Sequence, residues 1–307
     1  MAKIYIDGSA GTTGLRIRER LSERSDIELL TLPDELRKDP AAKKEIFNQA
    51  DVVFLCLPDE AARESVKLVE SVHTVIIDTS TAHRTSKDFV YGMPEIQGQR
   101  EKIQTAKMIA NPGCHASGFI ALVEPLVTVG LLKDTAKLSC FSLTGYSGGG
   151  KKMIAQYEEE NRDRLFDAPR MYALSQSHKH LPEMKLYSHL AYDPVFCPVV
   201  CDFYSGMQVT VPVFKDDLSG SLQDIRDAYR SYYQSGLIRY DSETEEGFLS
   251  ALKFEGRDDM SVSAFGNDDR ITLVSRFDNL GKGASGAAIQ NLNLLLGAPE
   301  TDGLVAG

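Results

Sequence analysis

Ile4-Tyr5-Ile6-Asp7-Gly8-Ser9-Ala10-Gly11-Thr12-Thr13-Gly14 is a short apolar run that meets three glycines spaced GxxGxxG. A charged stretch of helical content follows over 15–21. Glycines in a strand-to-helix turn let the backbone approach a pyrophosphate, and the helix N-terminus adds unpaired N–H groups and partial positive charge. An ordinary tight turn would carry similar glycines, so the neighbouring sequence decides. Residues 27–32 read as a second strand stopped by Pro33, and 41–49 as a helix. Val52-Val53-Phe54-Leu55-Cys56-Leu57 is a continuous apolar run stopped by Pro58, as expected for a strand covered on both faces. Asp59 is placed to cap a helix reaching about Val69. Short strands are expected at 75–77 and 108–110. This alternation predicts an α/β chain whose first domain is a Rossmann-like, doubly wound parallel sheet.

Working outward, the pattern changes after Asn111-Pro112-Gly113, where a domain boundary is expected. Strands are expected at 137–143, 207–214 and 271–277, with a helix over 222–233 and a last helix over 285–296 stopped by Gly297 and Pro299. Residues 171–201 have no clean period. Fewer helices between strands predict an α+β second domain. The length of 307 residues fits two domains at ~150 residues each.

Lys plus Arg number 34 and Asp plus Glu 44, a net charge of −10, which argues against nucleic acid or an anionic membrane as partner. Five widely spaced cysteines suit a reducing cytoplasm better than a disulfide framework. Met1-Ala2-Lys3-Ile4 lacks the h-region of a signal peptide, and no uncharged apolar stretch is long enough to span a bilayer.

Three further constellations bear on chemistry. Asn111-Pro112-Gly113-Cys114-His115 puts the Cys114 sulfur near the start of an apolar helix over 119–129. Such a position lowers a thiol pKa and favours the nucleophilic thiolate. Cys56 and Cys140 lie inside apolar strands and read as small buried hydrophobes. Ser177-His178-Lys179-His180-Leu181-Pro182-Glu183 offers a general base, with His178 and His180 on one face if the segment is extended and Glu183 orienting them. A solvated polar loop is one competing reading and a zinc set of His178, His180, Cys197 and Cys201 is the other, although Cys-Pro-Val-Val-Cys lacks the usual tight ligand turn. His73, His83 and His189 read as ordinary polar residues. Gly145-Tyr146-Ser147-Gly148-Gly149-Gly150-Lys151-Lys152 lacks the Ser or Thr of a P-loop, which excludes a nucleoside triphosphatase. A glycine nest before a helix from about Met153 remains, suited to a smaller phosphate. For the nucleotide, no acid stands at the tip of the second strand to hold a ribose hydroxyl, while Arg16, Arg37 and Lys38 are available to a 2′-phosphate. Spacing alone leaves NAD and NADP open. Together these parts suggest hydride transfer to a thiol-bound acyl group.

The conjunction of Asn-Pro-Gly-Cys at 111–114, the Gly8/Gly11/Gly14 spacing and His-Lys-His-x-Pro-Glu from 178 resembles the N-acetyl-γ-glutamyl-phosphate reductase family in its shorter, type 2 form. Asp78-Thr79-Ser80-Thr81-Ala82-His83-Arg84, Tyr91-Gly92-Met93-Pro94-Glu95 and Asp278-Asn279-Leu280-Gly281-Lys282-Gly283-Ala284 are similar to it too, so the resemblance runs from residue 1 to about 297. It implies an NADP(H)-dependent step of arginine biosynthesis with acyl phosphate and inorganic phosphate as ligands. It implies a dinucleotide domain over 1–113 completed by 285–307, and a semialdehyde-dehydrogenase-type catalytic and dimerisation domain over 114–284. A homodimer or homotetramer follows. Cys114 becomes the nucleophile, His180 the acid/base and His178 its neighbour nearer the substrate. Gly8, Gly11, Thr12, Thr13, Gly14, Arg16, Ser80, Asn279, Gly281 and Gly283 become cofactor contacts. Arg84, Ser147, Gly148, Gly149, Lys151 and Glu183 become candidates for substrate and phosphate, and no metal is implied. His115 departs from the pattern, since many relatives carry Tyr there. Aspartate-semialdehyde dehydrogenase, an aminoadipate-pathway reductase and a non-catalytic NADP-binding regulator are the rival readings.

Overall fold

The structure is a computed structural model and describes residues 1–234 and 236–307. The chain divides into two compact units, Met1–Pro112 with Ala284–Leu304, and Gly113–Gly283 with Val305–Gly307.

The first unit runs β1 (Ala2–Asp7), α1 (Thr12–Ser22), β2 (Ile27–Leu30), α2 (Pro40–Gln49), β3 (Val52–Leu55), α3 (Asp59–Val66), β4 (Val75–Asp78), β5 (Val90–Tyr91), α4 (Gln99–Gln104) and β6 (Met108–Ala110). Its six strands pair in parallel in the order β2-β1-β3-β4-β6-β5. Period-two alternation sorts the apolar residues to two faces. Ile4, Ile6, Phe54 and Ile77 pack with Ile17 and Leu21 on one face. Tyr5, Val53, Leu55 and Ile76 pack with Phe47 on the other. Both faces of β3 are therefore covered, which is why its sequence is apolar without interruption. Each such side chain stabilises the unit by about 1.5–3 kcal/mol. The C-terminal helix α9 (Gly286–Leu296) adds Ile289 and Leu292 to the first of these cores and ends at Gly297 in the left-handed region.

One local expectation changes. Pro58, not Asp59, precedes α3, and the Asp59 carboxylate accepts hydrogen bonds from the Thr81 N–H at 2.9 Å and from the Thr81 hydroxyl. An aspartate in a first helical turn is free to serve a neighbouring loop when the cap position belongs to proline.

The second unit runs α5 (Cys114–Thr128), β7 (Ser139–Gly145), α6 (Gly150–Glu158), β8 (Arg170–Met171), α7 (Leu181–Tyr187), β9 (Val195–Cys201), β10 (Met207–Phe214), α8 (Leu222–Tyr232), β11 (Ile238–Tyr240), β12 (Met260–Asn267) and β13 (Arg270–Phe277). Its seven strands form one mixed sheet in the order β11-β12-β13-β10-β7-β9-β8. Apolar α5 lies against this sheet. Gly118 makes the approach possible, because a Cβ there would stand 2.5 Å from Val209 and 2.7 Å from the Phe277 ring. Helix α8, closed by a Ser221/Asp224 capping box, is tied to α5 by the Tyr229 hydroxyl, which donates to the Leu122 carbonyl at 2.6 Å.

The α/β class and the mixed second sheet agree with the sequence reading. The stretch 171–201 hides α7 and β9. Pro198 within β9 argues against a strand on sequence, yet β9 pairs with β7 and β8. Strand β12 escaped notice because Ser261 and Ser263 break its apolar run while being fully buried. No helix among the described residues is long and apolar enough to cross a membrane.

Candidate functional site

In the first unit the glycine turn is tight. Gly8 closes β1 with φ +85°, and a Cβ there would lie 2.2 Å from the Cys56 carbonyl oxygen. A Cβ on Gly14 would lie 2.5 Å from the Gly8 oxygen. These two positions therefore require glycine. Gly11 is the N-cap of α1, no side chain caps it, and no acid stands in the first turn, which Thr12 and Thr13 open. That is the arrangement an anion needs at a helix N-terminus.

A cavity of about 350 Å³ lies beside Gly8, Ser9 and Ala10 and is bordered by Arg18, Arg37, Lys38 and Lys43. Arg37 and Lys38 are thus where a 2′-phosphate reading needs them. Arg18 stands there in place of Arg16. Two residues on a helix are about 200° apart, so only one of the pair faces the cavity. Lys43 pairs with the buried Asp7 carboxylate at 2.8 Å, which neutralises that acid beside the glycine turn.

After β4, fully buried Asp78 accepts from the Ser80 hydroxyl at 2.8 Å and lies 2.6 Å from His83 Nδ1. His83, which looked ordinary in sequence, also stacks on Phe89 at 4.3 Å. Buried Arg84 donates from Nε to the Asn111 carbonyl at 2.9 Å and from Nη2 to the Thr79 carbonyl at 3.1 Å. Its geometry is that of a brace between the β4 turn and the end of β6.

In the second unit Cys114 is the first residue of α5, preceded by Gly113 as an N-cap without a side-chain cap. A thiolate there feels the positive end of the helix. Gly283 makes room for it, since a Cβ at 283 would stand 2.9 Å from Cys114 Cβ. Buried Glu183 accepts from the Gly113 N–H at 3.1 Å, and its other oxygen lies 4.0 Å from His180 Nε2. As an acceptor-only anion turned to these groups, Glu183 suits an imidazolium rather than a phosphate.

His178 and His180 converge, with ring centroids 4.7 Å apart at 90°. The reason differs from the extended segment expected. His180 has helical φ and ψ as the N-cap of α7, and its N–H donates to His178 Nδ1 at 3.2 Å. A tight turn, not strand alternation, brings the rings together. His115 joins them, 5.7 Å from His178 and 5.5 Å from His180 between ring centroids. Its Nδ1 lies 2.6 Å from Ser142 Oγ and its Nε2 2.7 Å from Tyr172 Oη. Burial, aided by His178, pushes the His115 imidazole down to about 3, so it is neutral.

The other cysteines contrast with Cys114. Burial pushes the Cys56 thiol up to about 12 and the Cys140 thiol up further. Cys114 is therefore expected to alkylate about 10-fold faster or more than either at pH 7. Timed iodoacetamide labelling read by mass spectrometry checks this, and equal rates would contradict the helix-terminus account.

The glycine nest follows β7. Gly150 has φ +70° and opens α6, three residues before the expected start at Met153. Gly148, Gly149, Lys151 and Lys152 are exposed around it. Ser147 is buried and accepts from the Asn279 amide at 3.0 Å, while Asn279 Oδ1 accepts from the Gly206 N–H at 2.9 Å. Asn279 therefore ties the nest to the β13 exit. A Cβ on Gly281 would stand 1.9 Å from the Arg257 oxygen, so that glycine serves close packing.

The family model described as "Semialdehyde dehydrogenase, dimerisation domain" matches residues 114–279, and that described as "Semialdehyde dehydrogenase, NAD binding domain" matches 33–106. An N-acetyl-gamma-glutamyl-phosphate reductase 2 of Nostoc sp. is 45% identical, covering 98% of this chain and 99% of its own. An N-acetyl-gamma-glutamyl-phosphate reductase of Allorhizobium ampelinum is 43% identical over 97% and 99%. This chain belongs to the N-acetyl-gamma-glutamyl-phosphate reductases of the semialdehyde dehydrogenase family. The fold is shared with solved structures of much lower sequence identity. The crystal structure of aspartate semialdehyde dehydrogenase II from Vibrio cholerae superposes with a TM-score of 0.71 at 15% identity, over 96% of this chain and 98% of that one.

Against the zinc reading, no group of three or more His, Cys, Asp or Glu residues among the described ones is arranged to hold a metal. Sequence reasoning missed Tyr172, Ser142 and Arg18. Only the lack of period around 172 marked that region as unusual.

Proposed function

We propose that the chain catalyses the NADPH-dependent reductive dephosphorylation of N-acetyl-L-glutamyl 5-phosphate to N-acetyl-L-glutamate 5-semialdehyde, a step of arginine biosynthesis. The observation that carries this is Cys114 at the first position of α5, with the Glu183 carboxylate holding its turn and reaching His180.

The first unit is the nucleotide-binding one. Gly8, Gly11, Gly14, Thr12 and Thr13 form the turn that would hold a pyrophosphate. Arg18, Arg37 and Lys38 border the cavity where a ribose 2′-phosphate would favour NADP(H) over NAD(H). Arg16 and Ser80 are proposed as outer contacts of the same cofactor. When bound, NADPH supplies the hydride.

The second unit is the catalytic one. The Cys114 thiolate attacks the acyl carbon, forming C–S and moving the carbonyl pair onto oxygen. That oxygen re-forms the double bond as the bond to phosphate breaks, and phosphate leaves with the pair. The resulting thioester accepts the hydride at carbon. The thiohemiacetal oxyanion then expels the Cys114 thiolate and leaves the aldehyde. The helix start favours the thiolate and each oxyanion. His180, with Glu183 beside it to stabilise an imidazolium, takes the thiol proton, and His178 lies between it and the substrate. Lys151, Gly148, Gly149 and Ser147 form the phosphate nest. Gly283 acts by leaving space for Cys114, and Asn279 and Gly281 by shaping the same turn. The unit's match to a dimerisation domain supports a homodimer or homotetramer, and a thiol nucleophile supports a reducing cytoplasm.

The test runs the reaction backwards at 340 nm with NADP, phosphate and N-acetylglutamate semialdehyde. Turnover is expected to require phosphate and to exceed that with aspartate semialdehyde by about 100-fold or more. Faster turnover of aspartate semialdehyde would overturn the substrate assignment.

A further inference from the structure

His115 is the second residue of α5 and is 3% exposed, so its ring is enclosed directly after Cys114. Edge contacts with His178 and Phe196 at centroid distances of 5.7 and 5.2 Å, and a tilted contact with His180 at 5.5 Å, fix the plane of that ring. The neutral imidazole has one N–H and one lone pair, so of its two hydrogen bonds one is donated and one accepted.

Ser142 decides which is which. Its hydroxyl is fully buried, and among the described residues its Oγ has His115 as its one hydrogen-bond partner. If His115 donated to it, the Ser142 proton would have no acceptor and would bear the full desolvation penalty of a buried unmade bond. Ser142 therefore donates to Nδ1. The His115 proton then sits on Nε2 and is donated to Tyr172 Oη. A phenol oxygen that already receives this bond has its own O–H directed away from His115. Among the described residues no second partner takes that proton. Burial, with Cys114 nearby, raises the Tyr172 pKa, which keeps the phenol protonated.

We infer that Ser142 and His115 are positioning residues whose relay holds the Tyr172 hydroxyl as a donor to the acyl oxygen bound at Cys114. Bonds in series polarise one another, so Tyr172 donates more strongly than an isolated phenol. The donor is set before charge develops on that oxygen, where preorganisation is effective. The inference rests on Cys114 being the nucleophile.

Steady-state kinetics on the full chain with NADPH and acyl phosphate test it. Tyr172→Phe is expected to lower kcat about 100-fold with KM little changed. His115→Phe, which removes both relay bonds, is expected to lower kcat about 10-fold, again with KM little changed. His115→Gln keeps an N–H at the ε position and is expected to recover to within about 3-fold of the parent. The double variant H115F/Y172F is expected to be no slower than Tyr172→Phe alone, because both act on one bond. Ser142→Ala removes a single buried oxygen and is expected to lower kcat about 3-fold, which keeps the relay testable if His115→Phe does not fold. Multiplying losses in the double variant, a His115→Gln as slow as His115→Phe, or a Ser142→Ala at the parent rate would each overturn the relay. Cys114→Ser separates the two failures. A dead Cys114→Ser with multiplying relay losses removes the relay alone, and an active Cys114→Ser removes the nucleophile assignment beneath it.

Discussion

Cys114→Ser is expected to lose turnover by about 10⁴-fold or more while NADPH binding stays within about 2-fold of the parent. The split follows from the layout. The cofactor groups proposed here lie on the glycine turn and cavity of the first unit, and Cys114 opens α5 of the second. Serine matches cysteine in shape, so Gly283 still accommodates it and the Gly113–Glu183 bond is undisturbed. What changes is the nucleophile. A thiol near neutral pH reaches the thiolate readily, and a helix N-terminus helps further, whereas a hydroxyl needs a strong base at the moment of attack. Nucleotide titration by fluorescence and a 340 nm assay read the two quantities separately. A variant retaining more than about a tenth of the parent rate would remove the covalent mechanism through Cys114.

Net charge bears on the same division of labour. At −10 the chain as a whole repels anions, yet both proposed ligands are anionic. The cations that matter are local: Arg18, Arg37 and Lys38 at the cavity, Lys151 and Lys152 at the nest, and two helix starts. Lys43 contributes by cancelling Asp7 more than by its own field.

The parts legible in sequence were those whose chemistry is local. The Gly8 turn needs its glycines because the backbone itself is crowded, and that requirement is written at fixed spacing. Cys114 was legible because no apolar pattern calls for cysteine after Pro-Gly. The His178/His180 pair was found, but its geometry was misread, since proline at 182 permits the turn that makes His180 an N-cap as well as the extended form. The relay was not legible. His115, Ser142 and Tyr172 are up to 57 residues apart and meet only because β7, α5 and the segment after β8 converge. A buried serine in a strand and a tyrosine in an irregular stretch carry no mark of their partner. Arg18 was missed for a simpler reason, because the face of α1 turned to the cavity follows from which side packs, and Gly14, Ile17 and Leu21 set that side.

The motif beginning at Asp278 shows how a family signature can hold a structural residue. Asp278 is fully buried. Its Oδ1 accepts from the N–H groups of Leu280 at 2.7 Å and Gly281 at 3.2 Å. Its Oδ2 accepts from the Ser205 hydroxyl at 2.9 Å and the Gly256 N–H at 2.6 Å. One carboxylate thus ties the β13 exit to two other loops of its unit. Asp278→Ala would leave three backbone donors and a hydroxyl without that acceptor. Each buried unmade bond costs about 1–3 kcal/mol, and neighbours in one network add incompletely. The expected loss is about 4 kcal/mol, against a total stability of about 5–15 kcal/mol. For a unit of this size that lowers the melting temperature by on the order of 10 °C. Asp278→Asn keeps one acceptor oxygen and places an amide N–H₂ at the other site. Ser205 can rotate to accept from it, but the Gly256 N–H cannot, so about half of the loss should return. Thermal melts of the two variants, with hydrogen exchange at the Gly256 and Gly281 amides, test the claim. An alanine variant melting within about 2 °C of the parent would show that the loops do not depend on this carboxylate.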